Sequence, residues 1–287
     1  MTGKLGDAWL ILTAGILWGT TGTSQALIPE PLPPLALGTI RLLIGSAGLM
    51  VWALWRGAFT TGRAWPRGPV ALAAVAVAVY QPFFFSAVVQ TGVAIGTVVA
   101  IGSAPLFAGL LGLTALREKP DWYWAAATGL SILGCGLLFL SGEESGVNGL
   151  GVLLALGAGA AYAVYATCGK IILKTQSPDA LGAVVFSFAA VLLLPSLVLI
   201  DFNWPANSNS YLILLHLGLI TTMAAYILFA RGLSSVPAST AVTLSLSEPL
   251  TAGLLGIFLL GESFTPQTLV GLILLVAGLA LLALRQE

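Results

Sequence analysis

Glu248 is the one carboxylate that lies deep inside an apolar stretch of this 287-residue chain. Ionisable groups in apolar surroundings are costly and usually serve a site, so Glu248 is a candidate to exchange a proton or to bind an ammonium group. The neighbouring Pro249 offers a second interpretation. Proline removes a backbone donor, and the Glu248 side chain can satisfy the backbone groups that are freed. Both roles are consistent with the sequence.

Aromatic and amide side chains recur at helical spacing in several apolar stretches. Trp18, Thr21 and Gln25 share one helix face, because residues three and four apart are neighbours. Aromatic rings bind apolar and ammonium groups, and tyrosine hydroxyls form hydrogen bonds, so such faces predict a binding cavity. Packing between helices is the alternative. The candidate binding residues are Trp18, Thr21, Gln25, Tyr80, Gln81, Phe84, Tyr162, Tyr165, His216, Tyr226, Ser247 and Glu248.

His216 is the only histidine, and imidazole can take up and release a proton near neutral pH. A buried histidine with satisfied hydrogen bonds is an equally good interpretation. Pro105 and Pro249 are predicted to kink or gate the helices that contain them, because proline interrupts the backbone hydrogen-bond ladder. A static, packed kink is the alternative for both prolines.

The elements that position these residues are very apolar. Hydrophobic residues make up 58% of the chain and charged residues 8%, against about 25% charged in an average soluble domain. A soluble globular fold is therefore excluded. A helix needs about 20 apolar residues to cross a bilayer. Ten such runs predict an all-α membrane protein with ten transmembrane helices: 8–28, 35–55, 68–90, 94–116, 122–140, 149–171, 180–200, 210–230, 238–260 and 266–284.

The basic residues predict the orientation of these helices, because cytoplasmic loops are rich in Lys and Arg. With both termini placed in the cytoplasm, ten of the 11 basic residues fall on that side, and Arg41 alone falls toward the other side. The ten are Lys4, Arg56, Arg63, Arg67, Arg117, Lys119, Lys170, Lys174, Arg231 and Arg285.

An offset of 144 residues aligns the two halves of the chain. Ser-Ala-Pro-Leu at 103–106 corresponds to Ser-Glu-Pro-Leu at 247–250, and the segment 108–112 is identical to 252–256. Each half holds five runs. Because five is odd, the second half enters the membrane from the opposite side, which predicts two inverted five-helix repeats, 1–143 and 144–287. Such repeats are typical of secondary transporters with a central site, and a duplicated channel is the alternative.

The order and duplication of these segments resemble the drug/metabolite transporter superfamily, and specifically its ten-helix members built from two EamA repeats. The resemblance rests on Ala-Pro-Leu at 104–106, Glu-Pro-Leu at 248–250, the acidic helix ends at 117–120 and 261–262, and Leu-Trp-Gly at 17–19. The first half departs at Arg117, where the family often has glycine. Within the family, the chain looks most like bacterial inner-membrane exporters of amino acids, including aromatic amino acids.

The resemblance and the repeat together predict an exporter of small amphipathic metabolites, above all amino acids, that works by alternating access. A multidrug or cationic-drug exporter is the alternative. An enzyme is not expected, because the sequence has no aspartate deep in a run, no Gly-x-Ser-x-Gly elbow and no zinc ligand set. We predict no cofactor. The expected partners are the bilayer and a small substrate, and zero net charge argues against nucleic acid.

Overall fold

The computed structural model describes residues 3–29, 32–139, 148–199, 207–261 and 265–284. Its helices are α1 (Gly3–Ala26), α2 (Pro34–Trp55), α3 (Arg67–Leu111), α4 (Trp122–Phe139), α5 (Gly149–Ile172), α6 (Pro178–Leu193), α7 (Ser196–Leu199), α8 (Ser208–Leu215), α9 (Ala225–Ser235), α10 (Ala238–Leu244), α11 (Ser247–Leu260) and α12 (Pro266–Leu284). π-Helical turns occupy Gly112–Leu116 and His216–Ala224. The described residues contain no strand, so the all-α prediction is confirmed. The predicted boundary between the halves, at 143–144, lies outside the described residues.

Eight helices in the described ranges are long and apolar enough to cross a membrane. They are Pro34–Trp55, Arg67–Thr91, Gly96–Leu116, Gly149–Ile172, Pro178–Leu199, Ser208–Ser235, Ala238–Leu259 and Pro266–Leu284. Trp122–Leu138 is a shorter apolar helix, and α1, although 24 residues long, is not among the eight. The chain is thus a multi-pass helical membrane protein, whereas the predicted number of ten spans is not established by length and composition.

The 45-residue helix α3 turns back on itself and contributes two of these spans, Arg67–Thr91 and Gly96–Leu116. A Cβ atom on Gly96 would lie 3.0 Å from the Cα atom of Val88. In a straight helix, residues eight apart are separated by about 12 Å. The chain therefore reverses direction between the two arms, and α5 packs against both of them.

The helices recur with the 144-residue offset that the sequence shows. α2 and α6 begin at Pro34 and Pro178, which are equivalent positions, and proline is favoured in the first turn of a helix. α4 and α12 begin at Trp122 and Pro266, which are also equivalent. The stretch of chain between these two helix starts is therefore equally long in both halves.

The crossing of α4 and α12 has the same reciprocity. Gly134 of α4 packs against the backbone of Gly271, and the equivalent of Gly134, Gly278, packs against the backbone of Ala127, the equivalent of Gly271. Glycine at such a crossing lets two helix backbones approach closely within a membrane. The two halves therefore share a symmetric contact at this edge of the bundle.

The first helix of each half packs into the opposite half. Gly15 of α1 meets Ser247 of α11, and the equivalent Gly159 of α5 meets Ser103 of α3. α1 also packs along α9, and Gly232 of α9 lies against the start of α1. The two halves are therefore interlocked, and the surface between them runs through the middle of the bundle.

We call the end of the bundle at which α1 begins the near end, and the opposite end the far end. The connections that follow α2, α3, α5 and α9 meet at the near end. There Gln176 Nε2 donates to the Arg63 carbonyl at 2.9 Å, and Arg231 pairs with Asp179 at 3.0 Å. The basic residues near these connections are Arg56, Arg63, Arg67, Arg117, Lys119, Lys170, Lys174 and Arg231.

Candidate functional site

A cavity of about 530 Å³ lies among helices of both halves. It extends from the middle of the bundle to the far end, where Ile28, Pro34, Val89 and Thr97 line it. Many of the residues that the sequence singles out lie together on its wall: Trp18, Thr21, Gln25, Tyr80, Gln81, Phe84, Tyr162, Tyr165, Tyr226, Glu248 and Pro249. Gln81 and Tyr165 have most of their surface packed against other side chains, at 4% and 1% exposed.

Glu248 reaches the cavity at a break in the helical span that contains it. α10 ends at Leu244 and α11 begins at Ser247. Pro249 explains the break, because its ring clashes with a helical carbonyl four residues earlier, at Ser245. Within the described part of the chain, the Glu248 carboxylate accepts no hydrogen bond, so the structure does not use it to satisfy backbone freed by Pro249.

Two groups of aromatic rings form much of the cavity wall. The Trp18 ring meets the Tyr162 ring edge to face, with centroids 6.2 Å apart, and lies 4.9 Å from the Tyr226 ring. Trp18 and Tyr162 are equivalent under the offset, which predicts that they face each other. The Tyr80 ring stacks on Phe84 at 5.5 Å. Such walls present ring faces for apolar or ammonium groups, and hydroxyls for polar groups.

Arg41 also lines the cavity, and it is not among the binding residues predicted from the sequence. It lies in α2, within electrostatic range of Glu248, Tyr80 and Tyr226. The signal was present in the sequence, because Arg41 is a basic residue well inside an apolar run. The rule that identified Glu248, that charges at membrane depth usually serve a site, applies equally to cations. In the charge pattern that predicts orientation, Arg41 is only the one exception.

Three predicted residues lie outside the lining of this cavity. His216 begins a π-helical turn, and its Nε2 lies 3.0 Å from the Thr20 hydroxyl of α1. Ser247 is buried and donates to the carbonyl of Leu12 at 2.9 Å. Pro105 lies within α3, which stays helical on both sides of it. His216 and Ser247 thus connect second-half helices to α1, and α1 carries Trp18 on its cavity side.

Polar contacts hold the near end together. The Glu118 carboxylate accepts hydrogen bonds from Ala238 N at 2.7 Å and from Ser239 Oγ at 3.0 Å. It thereby caps the N-terminus of α10, where free N–H groups favour negative charge. Lys170 Nζ donates to three carbonyl oxygens within 233–236, at 2.7–3.0 Å. The connection between α9 and α10 is therefore fixed by Glu118 on one side and by Lys170 on the other.

The two halves match one and the same family model, at residues 5–140 and 149–284. This chain belongs to the EamA-like transporter family. The match covers both repeats and all of the helices that line the cavity. EamA-like proteins are transporters, so the cavity lies in a membrane transporter and not in an enzyme.

Two relatives and one solved structure extend this comparison. The chain is 49% identical over 275 residues to the uncharacterized transporter YwfM of Bacillus subtilis, covering 95% of this chain and 92% of the relative. It is 27% identical over 274 residues to the threonine/homoserine exporter RhtA of Escherichia coli K12, covering 94% and 88%. A crystal structure with 21% sequence identity superposes with a TM-score of 0.84 over 98% of both chains, which shows the same fold.

Proposed function

We propose that this EamA-like transporter exports small amphipathic metabolites, above all amino acids and including aromatic ones, across the bacterial inner membrane. The observation that carries the proposal is the cavity, which combines aromatic rings with one acidic and one basic side chain. Its volume of about 530 Å³ is in the range of small-molecule sites. The distant relative named as a threonine/homoserine exporter also favours amino acids as substrates.

In the proposed arrangement ten helices cross the membrane, because α1 and α4 join the eight spans that meet the criteria of length and composition. They form two inverted repeats, 1–143 and 144–287. We place the near end and both termini in the cytoplasm, since basic residues collect at that end. The cavity then faces outward. Transport requires the near-end contacts of Glu118 and Lys170 to open while the far end closes, with Pro249 and Pro105 as candidate hinges.

Counterflow into proteoliposomes tests this function. Vesicles with the purified protein are loaded with an unlabelled amino acid, and uptake of the labelled form is measured for threonine, leucine, phenylalanine and a wider panel. We expect saturable exchange well above that of protein-free vesicles. Failure to exchange any amino acid of the panel would contradict the proposal, and conductance that does not saturate would favour a channel.

A multidrug or cationic-drug exporter is the second candidate function. It is favoured by the Glu248 carboxylate, which shares the cavity with the rings of Trp18 and Tyr80, a combination that binds lipophilic cations. Arg41 opposes it, because a second positive charge in the same low-dielectric cavity is repelled. Growth in the presence of cationic dyes separates the two functions. Resistance that depends on Glu248, without amino-acid counterflow, would favour the drug exporter.

A further inference from the structure

We propose that Arg41 and Glu248 form a two-charge site that binds the backbone of a neutral α-amino acid. Arg41 binds the substrate carboxylate, and Glu248 binds the substrate ammonium group. The proposal rests on the amino-acid transport proposed above, and it adds which groups of the substrate are recognised and which side chains are accepted.

The two charges lie in one cavity without forming an ion pair with each other. Both side chains line it, yet neither has an ion-pair partner among the described residues. Arg41 Nε is buried and lacks a hydrogen-bond partner there as well. Charged groups at membrane depth are costly when unpaired, so a ligand that satisfies both is strongly favoured. A zwitterion supplies one group of each sign, and a guanidinium can bind a carboxylate through two parallel hydrogen bonds.

Tyr80 and Tyr226 share the cavity wall with the two charges. Each of these hydroxyls lies within electrostatic range of both Arg41 and Glu248. They come from different halves of the chain, on α3 and on α9. A substrate in this cavity can therefore meet two hydroxyls that donate to a carboxylate or accept from an ammonium group.

The rest of the wall indicates the side chains that fit. Apart from Arg41 and Glu248, the described lining residues carry no formal charge. Trp18, Tyr162 and Phe84 offer ring faces, and Gln25 and Thr21 offer neutral polar groups toward the far end. A third charge on the substrate would have no partner. We therefore expect neutral amino acids with apolar, aromatic or hydroxyl side chains to be preferred over lysine, arginine, aspartate and glutamate.

The internal repeat carries neither charge at the equivalent positions of the other half. The position equivalent to Arg41 in the second half is Val185, and the position equivalent to Glu248 in the first half is Ala104. Val185 and Ala104 are both buried in packed surroundings. The same packing role is therefore filled by an apolar residue in one half and by a charged residue in the other, which favours a ligand-binding role for the charges.

The first arm of the test uses the wild-type transporter and the amino acid with the fastest counterflow. Competitors are that amino acid, its amide, which lacks the carboxylate, and its N-acetyl derivative, which lacks the ammonium group. Measurements at about pH 7 keep most of the α-amino group of the amide protonated. We expect each derivative to compete at least about tenfold more weakly than the parent, because each leaves one buried charge unpaired. Equal competition by either derivative would overturn the two-charge site.

The second arm assigns each charge to its group. In Arg41→Gln, the ratio by which the parent competes more strongly than the amide should fall toward one, and the ratio of the parent to the N-acetyl derivative should persist. Glu248→Gln should show the converse. Arg67→Gln, which removes an exposed charge at the near end, is the matched control and should keep both preferences. Variants that exchange amino acids with both preferences intact would overturn this inference and leave amino-acid transport standing. Absence of wild-type exchange would instead overturn the proposed function.

If Arg41→Gln or Glu248→Gln does not fold, the assignment is tested with Arg41→Lys and Glu248→Asp. These variants keep the charge but change its reach and geometry. A lysine lacks the planar fork of arginine, so the preference over the amide should shrink while that over the N-acetyl derivative stays. Unchanged preferences in both conservative variants would count against the proposal.

Discussion

The two halves of this transporter share their backbone packing but differ in their charges. The glycine contacts of α1 with α11 and of α5 with α3 are equivalent, and so are the two ends of the crossing between α4 and α12. By contrast, Glu248 corresponds to Ala104, and Arg41 to Val185. The shared contacts specify one fold used twice, and the unshared charges make the two walls of the cavity chemically different.

The difference in charge between the halves also bears on the two states of the proposed alternating-access cycle. If the halves were identical, symmetry would give the state closed at the near end and the state closed at the far end equal free energies. Lys170 breaks this equality, because it donates to three carbonyls at the near end while the equivalent position is Ala26. In the proposed alternating-access cycle, Lys170 therefore favours closure at the near end, and a bound substrate would have to supply the differential free energy that opens it.

The largest expected effect comes from breaking the shared packing. In Gly134→Leu a side chain enters space filled by the backbone of Leu275, since even a Cβ atom would lie 2.6 Å from its nitrogen. Because overpacking against backbone is poorly relieved, we expect a loss of about 3 kcal/mol in the free energy of unfolding. Thermal unfolding in detergent measures it. Gly129→Leu, on the same helix but with open space around the glycine, is the control. Similar losses in both variants would count against this account.

A smaller effect is expected from removing an unshared contact. Lys170→Met leaves three near-end carbonyl oxygens without their charged donor, at a cost of about 1–2 kcal/mol. The accessibility of the cavity from the near end, measured by cysteine labelling from that side, should also increase, because the state closed at the near end loses stability. Lys174→Met removes an exposed charge about one helical turn away and is the matched control. Equal labelling of the two variants would show that Lys170 does not favour closure.

The end of the fourth span of each half offers an intermediate test. Arg117 and Gly261 are equivalent, and both adopt left-handed backbone, with φ of 57° and 74°. Glycine takes this conformation without steric cost, whereas other residues are disfavoured by about 1 kcal/mol. Arg117→Gly should therefore raise the free energy of unfolding by about that amount, and Gly261→Ala should lower it. A decrease for Arg117→Gly would mean that its side chain makes a stabilising contact.

The smallest expected effect is the difference in stability between removing the hydroxyl groups of two equivalent serines, Ser247 and Ser103. Ser247 Oγ donates across to the carbonyl of Leu12 on α1, whereas Ser103 Oγ donates within its own helix, to Ala100. Hydrogen bonds between membrane helices contribute about 0.6 kcal/mol. We expect Ser247→Ala to lower the unfolding temperature more than Ser103→Ala does. The reverse order would indicate that the hydroxyl contact of α1 adds little to its packing.

The sequence predicts the helices well, because apolar length, proline positions and the offset are local or periodic signals. The break before Ser247 follows from Pro249 in the same way. Partners of single side chains could not be predicted, since they depend on how each helix is rotated. His216 meets Thr20 for this reason and is not on the cavity wall. The depth of Arg41 in an apolar run is visible in the sequence, but its position on the cavity wall again depends on the rotation of its helix.

The packing of α1 into the second half has a consequence during synthesis of the chain. Its partners α9 and α11 begin about 200 residues after α1 ends. At about 5–20 residues per second, α1 leaves the ribosome some 10–40 seconds before its first partner exists. During this interval Thr20 lacks its contact with His216, and α1 is not among the eight helices that meet the criteria of length and apolarity for a membrane span. α1, which carries Thr21 and Gln25 of the cavity wall, must therefore be held in place for this interval without the second-half helices that pack against it.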